Sequence, residues 1–173
     1  MRTFKVLFIL SLSLGLVSCT NNASVNHAFM KYGHGKGIVS ITVPGFVLRL
    51  AASIGDLEPD EKELLRSIDK VKVLAVKDQK RYDGVDFNRE FYWGMNRDGR
   101  YQELLNVTDN NERVTVFGRM ENEDVINEMV VLIGGENNAL IYLKGRLEAR
   151  MLDKYVHFSD LHSIFSFNSN INH

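Results

Sequence analysis

The chain has 173 residues, 45% hydrophobic and 25% charged, with 21 basic against 22 acidic side chains and a single cysteine. That length supports one domain around one core, and the near-neutral balance argues against nucleic acid, which wants a basic face. One cysteine cannot build a disulfide framework, so stability must come from packing.

Met1–Lys5 is a basic head carrying Arg2 and Lys5, and Val6–Val17 is an apolar run broken only by Ser11, Ser13 and Gly15. Leu16-Val17-Ser18-Cys19 follows. A positive head, a short apolar run and a small-residue cleavage site make a secretory signal. The run falls short of the roughly 20 apolar residues that span a bilayer. Residues 1–18 are therefore expected to be a lipoprotein signal peptide, cleaved between Ser18 and Cys19. The Cys19 thiolate would accept a diacylglycerol and the freed amine a further acyl chain. At about 0.8 kcal/mol per buried methylene, one chain holds marginally and two or more hold stably. The expected product is exported and held on the cell envelope through Cys19, with the membrane as its partner. Losing Arg2 and Lys5 leaves 19 basic against 22 acidic residues. That gives no polybasic membrane signal and no reason to expect nucleic acid.

Residues 19–24 read as a polar tether and residues 25–156 as a single domain. Ser24 is placed to cap a helix through Tyr32, with Val25, Phe29 and Tyr32 on one side. Gly33-His34-Gly35-Lys36-Gly37 ends it. Gly37–Val43 is β-branched and reads as a strand. Phe46, Val47, Leu50 and Ile54 form a stripe at helical spacing, stopped by Gly55. Pro59, Asp60 and Glu61 open a further helix with Leu64, Leu65 and Ile68 inward. Val71–Val76 is a second strand and Lys77–Gly84 a charged loop. Val85–Asn96 is helical through Phe87, Phe91 and Met95, with Tyr92 and Trp93 beside them. Tyr101–Val107, Arg113–Phe117, Ile126–Ile133 and Ala139–Lys144 then read as a four-stranded antiparallel meander. Its turns are Thr108–Asn111, Glu121–Asp124 and Gly134–Asn138. Leu147, Met151, Leu152 and Tyr155 suggest a last helix, and residues 157–173 form a C-terminal tail. The fold class expected is α+β. The sheet would be mixed and mostly antiparallel, the meander extended by the two earlier strands, with helices packed on one face.

Five stretches carry a family likeness: Ile68–Leu74, Tyr101–Val107, Val114–Phe117, Ile126–Ile133 and Leu140–Leu147. Together with the lipobox, this pattern resembles domain-of-unknown-function family 4252, small secreted or lipid-anchored proteins of Bacteroidota. The resemblance covers about residues 25–156. It implies a fold and a compartment, and it carries no catalytic residue. Surface-exported lipoproteins of such bacteria tend to have acidic residues after the cysteine. Thr20-Asn21-Asn22-Ala23 has none, so the anchor is expected in the outer membrane, facing the periplasm.

Familiar chemistry is absent from the motifs. Gly33–Gly37 has no glycine five residues before Gly35-Lys36 and no Ser or Thr after Lys36, so it is not a Walker loop. His27, His34, His157, His162 and His173 form no zinc motif. Ser40 and Ser53 lie in apolar patterns without a nucleophile elbow. Asp60-Glu61 and Glu121, Glu123, Asp124 sit where helix starts and turns favour acids. No cofactor or metal is expected and the ligand is left unknown. The functional expectation is a lipid-anchored envelope protein that binds or signals without catalysis, with a protein partner as one form of ligand. The alternatives are an enzyme of unfamiliar chemistry and a small-molecule or lipid carrier.

Overall fold

The computed structural model describes residues 23–148 and residue 150. Residues 1–18, expected to be a signal peptide, with Ser18, Cys19, the expected tether as far as Asn22, Met151, Leu152, Tyr155 and residues 157–173 lie outside the described residues. The order is α1 (Ala23–Tyr32), β1 (Ile38–Pro44), α2 (Gly45–Ile54), α3 (Pro59–Ser67), β2 (Ile68–Val76), α4 (Phe87–Asn96), β3 (Gln102–Asp109), β4 (Glu112–Asn122), β5 (Val125–Gly134) and β6 (Ala139–Glu148). The six strands form one open sheet in the order β1-β2-β6-β5-β4-β3. Every neighbouring pair is antiparallel. This is the α+β fold expected, with the four-stranded meander extended by β2 and β1.

Period-two alternation gives the sheet two apolar faces. On one, Leu74, Val76, Phe117, Val130, Leu132, Leu140 and Tyr142 meet Val25, Ala28 and Tyr32 of α1 and Phe87, Phe91 and Met95 of α4. On the other, Val71, Ile141 and Leu143 meet Leu48 of α2 and Leu64 of α3. Helices thus also lie against this second face, at its β1–β2–β6 end. Local chemistry sets the boundaries. Asp86 caps α4 by accepting from the Arg89 N–H at 2.8 Å. Glu58 and Glu61 form a reciprocal capping box at α3, with Pro59 in the first turn. Asn110 and Asn111 take positive φ in the β3–β4 hairpin.

Three sequence assignments shift. Ser24 lies inside α1, where its side chain faces Gly94 of α4, and is not a cap. Ile68 opens β2 instead of closing α3, because extended backbone begins there. Leu147 is a fully buried residue of β6, not the start of a helix. The stripe Phe46, Val47, Leu50 and Ile54 does mark α2, but it points outward, at 66%, 40%, 58% and 78% exposure. The inner side of α2 is Gly45, Leu48 and Ala52. The helix is apolar on both sides, and its small residues take the close contact.

Candidate functional site

Strand register builds the site. Lys70 and Lys72 follow the parity of Leu74 and Val76, so they sit on the α1/α4 face of β2. Lys70 lies directly across from Lys144 of β6, and Lys72 across from Tyr142. Lys144 in turn faces Glu128 of β5, which faces Arg119 of β4. Four adjacent strands therefore carry a row Lys70, Lys144, Glu128, Arg119 across one end of the sheet. Arg100, in the turn before β3, and Val25 and Asn26 of α1 close the surround. The result is a cavity of about 190 Å³ lined by five cationic side chains and one carboxylate.

These charges are not equivalent. Glu128 is buried; it accepts a hydrogen bond from the Tyr101 hydroxyl and pairs with Arg119 Nη2 at 2.8 Å. The Arg119 Nε is buried without a partner. Arg100 is held by Asp98 through Nε–Oδ1 at 2.8 Å and Nη2–Oδ2 at 2.6 Å. That bidentate bond, the largest influence, pulls the Asp98 carboxyl below its usual range and raises the Arg100 guanidinium. Lys70, Lys72 and Lys144 have no carboxylate partner among the described residues. The Lys72 ammonium lies 4.0 Å from the Phe29 ring centroid, a cation–π contact. Burial first, and then the charge of Lys70, lowers the Lys72 pKa from its ordinary value. Two lysines directly opposed across a strand pair repel. The arrangement offers three ammonium charges with no ion-pair partner among the described residues, beside one carboxylate, Glu128, that is already paired with Arg119.

The residues singled out from sequence lie elsewhere. Phe87, Phe91 and Met95 are core. Tyr92 donates to Glu103 at 2.8 Å, while Trp93 is 59% exposed and stacks edge-on against Tyr92. The Gly33–Gly37 segment is a backbone turn, with Gly35 N–H bonded to the Tyr32 carbonyl and Gly37 at positive φ. Ser40 is exposed, and Ser53 donates to the Arg49 carbonyl. Glu61 serves the capping box and Glu121 pairs with Arg146 at 3.1 Å. Glu123 and Asp124 form the β4–β5 turn, where the Asp124 N–H bonds to Asn122. His27 and His34 are exposed, and His157, His162 and His173 lie outside the described residues. None of these lines the cationic cavity. The signal that could have found it is the pair of lysines at alternate positions in Ile68–Val76, repeated by Tyr142 and Lys144 in β6.

No curated protein and no solved structure matches this chain. The family described as Domain of unknown function (DUF4252) matches residues 32–155, a span that includes every charged residue of the cavity. With more than two thirds of its length matched, the chain belongs to the DUF4252 family.

Proposed function

We propose that this chain is a lipid-anchored cell-envelope protein that acts by binding, and that it takes an anionic ligand in the cationic cavity. The anchor reading rests on the lipobox ending at Cys19. The binding reading is carried by one observation: Lys70, Lys72 and Lys144 converge on a cavity without a carboxylate partner. An anion placed there relieves the repulsion between Lys70 and Lys144. It works in a partly desolvated setting, where charge interactions exceed their strength in water. Clickable fatty-acid labelling of cells tests the anchor: label on the parent chain and none on Cys19→Ala is expected, and equal label on both refutes it. Calorimetric titration with a panel of small anions tests the binding. Uptake lost in a Lys70→Gln/Lys144→Gln variant is expected, and no uptake of any anion refutes it.

One observation favours catalysis as a second reading. A lysine whose pKa is lowered by burial and by a neighbouring cation is disposed to act as an amine nucleophile, and half-buried Lys72 beside Lys70 has its pKa moved in that direction. Turnover of a small carbonyl compound, lost in Lys72→Met and accompanied by borohydride trapping on Lys72 in preference to the other lysines, would support an enzyme; trapping spread evenly over the lysines without turnover would refute it.

A further inference from the structure

We infer that the group held by this cavity is a phosphoryl group in its doubly charged form. The inference rests on the reading of the cavity as an anion site and narrows it. The first reason is the geometry of the free donors. A planar carboxylate is best matched by the fork of an unengaged guanidinium. Here the Arg100 fork is occupied by Asp98, and Arg119 is tied to Glu128 through Nη2, its remaining unpartnered Nε being buried. The cations without a carboxylate partner among the described residues are three ammonium groups, one of them (Lys72) also over the Phe29 ring, and they act as compact point charges with donors free to rotate. They suit a tetrahedral group presenting several acceptor oxygens.

The second reason is charge. Glu128 offsets Arg119 and Asp98 offsets Arg100, leaving the charges of Lys70, Lys72 and Lys144. A carboxylate monoanion neutralises one of them. A phosphoryl group carries about −1.5 to −2 near pH 7 with three strong acceptor oxygens. The third reason is size. Pockets for drug-sized ligands run to about 300–1,000 Å³, so this cavity of about 190 Å³ holds a phosphoryl group with a few attached atoms and any larger part of the ligand extends outside it.

Two sources share this chemistry: a phosphomonoester lipid headgroup and a free phosphorylated solute. The position of the cavity makes the first accessible. Val25 and Asn26 of α1 line it. At most about 14 Å of extended chain separates Ala23 from Cys19, which brings the cavity close to any surface that holds the anchor.

The test uses the full chain in nonionic detergent at constant ionic strength and pH 7.5. It is titrated calorimetrically with inorganic phosphate, dioctanoyl phosphatidic acid, dioctanoyl phosphatidylcholine, acetate and succinate. Phosphate or phosphatidic acid is expected to bind at least tenfold tighter than acetate, succinate or phosphatidylcholine. Lys70→Gln/Lys144→Gln is expected to weaken that binding at least tenfold. Phosphatidic acid tenfold tighter than inorganic phosphate assigns a headgroup; equal or weaker binding assigns a solute. Succinate or acetate bound as tightly as phosphate, and lost in the double variant, overturns the phosphoryl inference while the anion-binding reading stands. Uptake of none of the probes overturns both, and phosphate binding untouched by the double variant overturns the site. A readout independent of folding of the variant is protection of Lys70, Lys72 and Lys144 from amine acylation in the unaltered chain. Protection by phosphate and not by acetate is expected; equal acylation with and without phosphate overturns the inference.

Discussion

Single residues show where this fold carries charge at a cost to its own stability. Lys70 faces Lys144 directly, and after burial its charge is the second influence that lowers the Lys72 pKa. Like charges opposed across strands destabilise by about 0.2–1 kcal/mol. Lys70→Gln should therefore raise the ligand-free unfolding free energy by a few tenths of a kcal/mol to about 1 kcal/mol. Chemical denaturation at neutral pH measures it, and a loss of stability would mean that Lys70 has a structural partner. Asp98 behaves oppositely. Its carboxyl is held below the ordinary 3.8 by Arg100. Between the depressed value and 3.8 the unfolded chain binds more protons than the folded one. The contribution of Asp98 is thus full above 3.8 and is lost as pH falls through the depressed value. Asp98→Asn should be less stable than the parent at pH 6, and the gap should close in strong acid. A gap that persists unchanged at low pH would contradict the pairing. Neither residue was legible as special in the sequence. Asp98 reads as the first half of an Asp-Gly turn, and the opposition of Lys70 to Lys144 depends on a pairing between strands that lie far apart in the chain.

Among the elements, strands and helices were largely legible, because β-branched runs and helical spacing report directly on period. The errors fall where two signals compete. Ile68 fits both the inner face of α3 and the start of β2, and the extended strand takes it. Leu147 fits a helical pattern but completes β6. In α2, periodicity gives the helix and not its buried side. The close approach is made by Gly45 and Ala52, and bulk alone points to the wrong face. Leu50→Ser should accordingly change stability by less than about 0.5 kcal/mol, whereas Leu74→Ala in the core should cost about 2–5 kcal/mol. Similar costs for the two would contradict the outward stripe. The same corner explains a glycine. A Cβ on Gly145 of β6 would collide with the backbone of Ser67 and Ile68, where α3 turns into β2. Rigid backbone cannot yield as a side chain can, so Gly145→Ala should destabilise by about 1–3 kcal/mol by thermal unfolding.

For the whole molecule, the sheet is what assembles the site. Its charged residues come from β2, the turn before β3, β4, β5 and β6, and only the strand order brings them to one end. The sequence shows lysines alternating within an apolar strand, which marks a polar stripe. It does not show that Lys144 will stand beside them, because register is a property of the folded sheet. The chain as a whole carries a net charge of −1, so the concentration of cations in one cavity is local and invisible in the composition. The direct measurement is the unfolding midpoint of the full chain against inorganic phosphate at fixed ionic strength. A ligand at a hundred times its Kd stabilises by about 2.7 kcal/mol. In a domain of this size that corresponds to a rise of about 5–10 °C. The parent chain should rise by that order with phosphate and stay level with acetate, and Lys70→Gln/Lys144→Gln should stay level with both. A level parent, or a variant that rises as the parent does, would contradict the account.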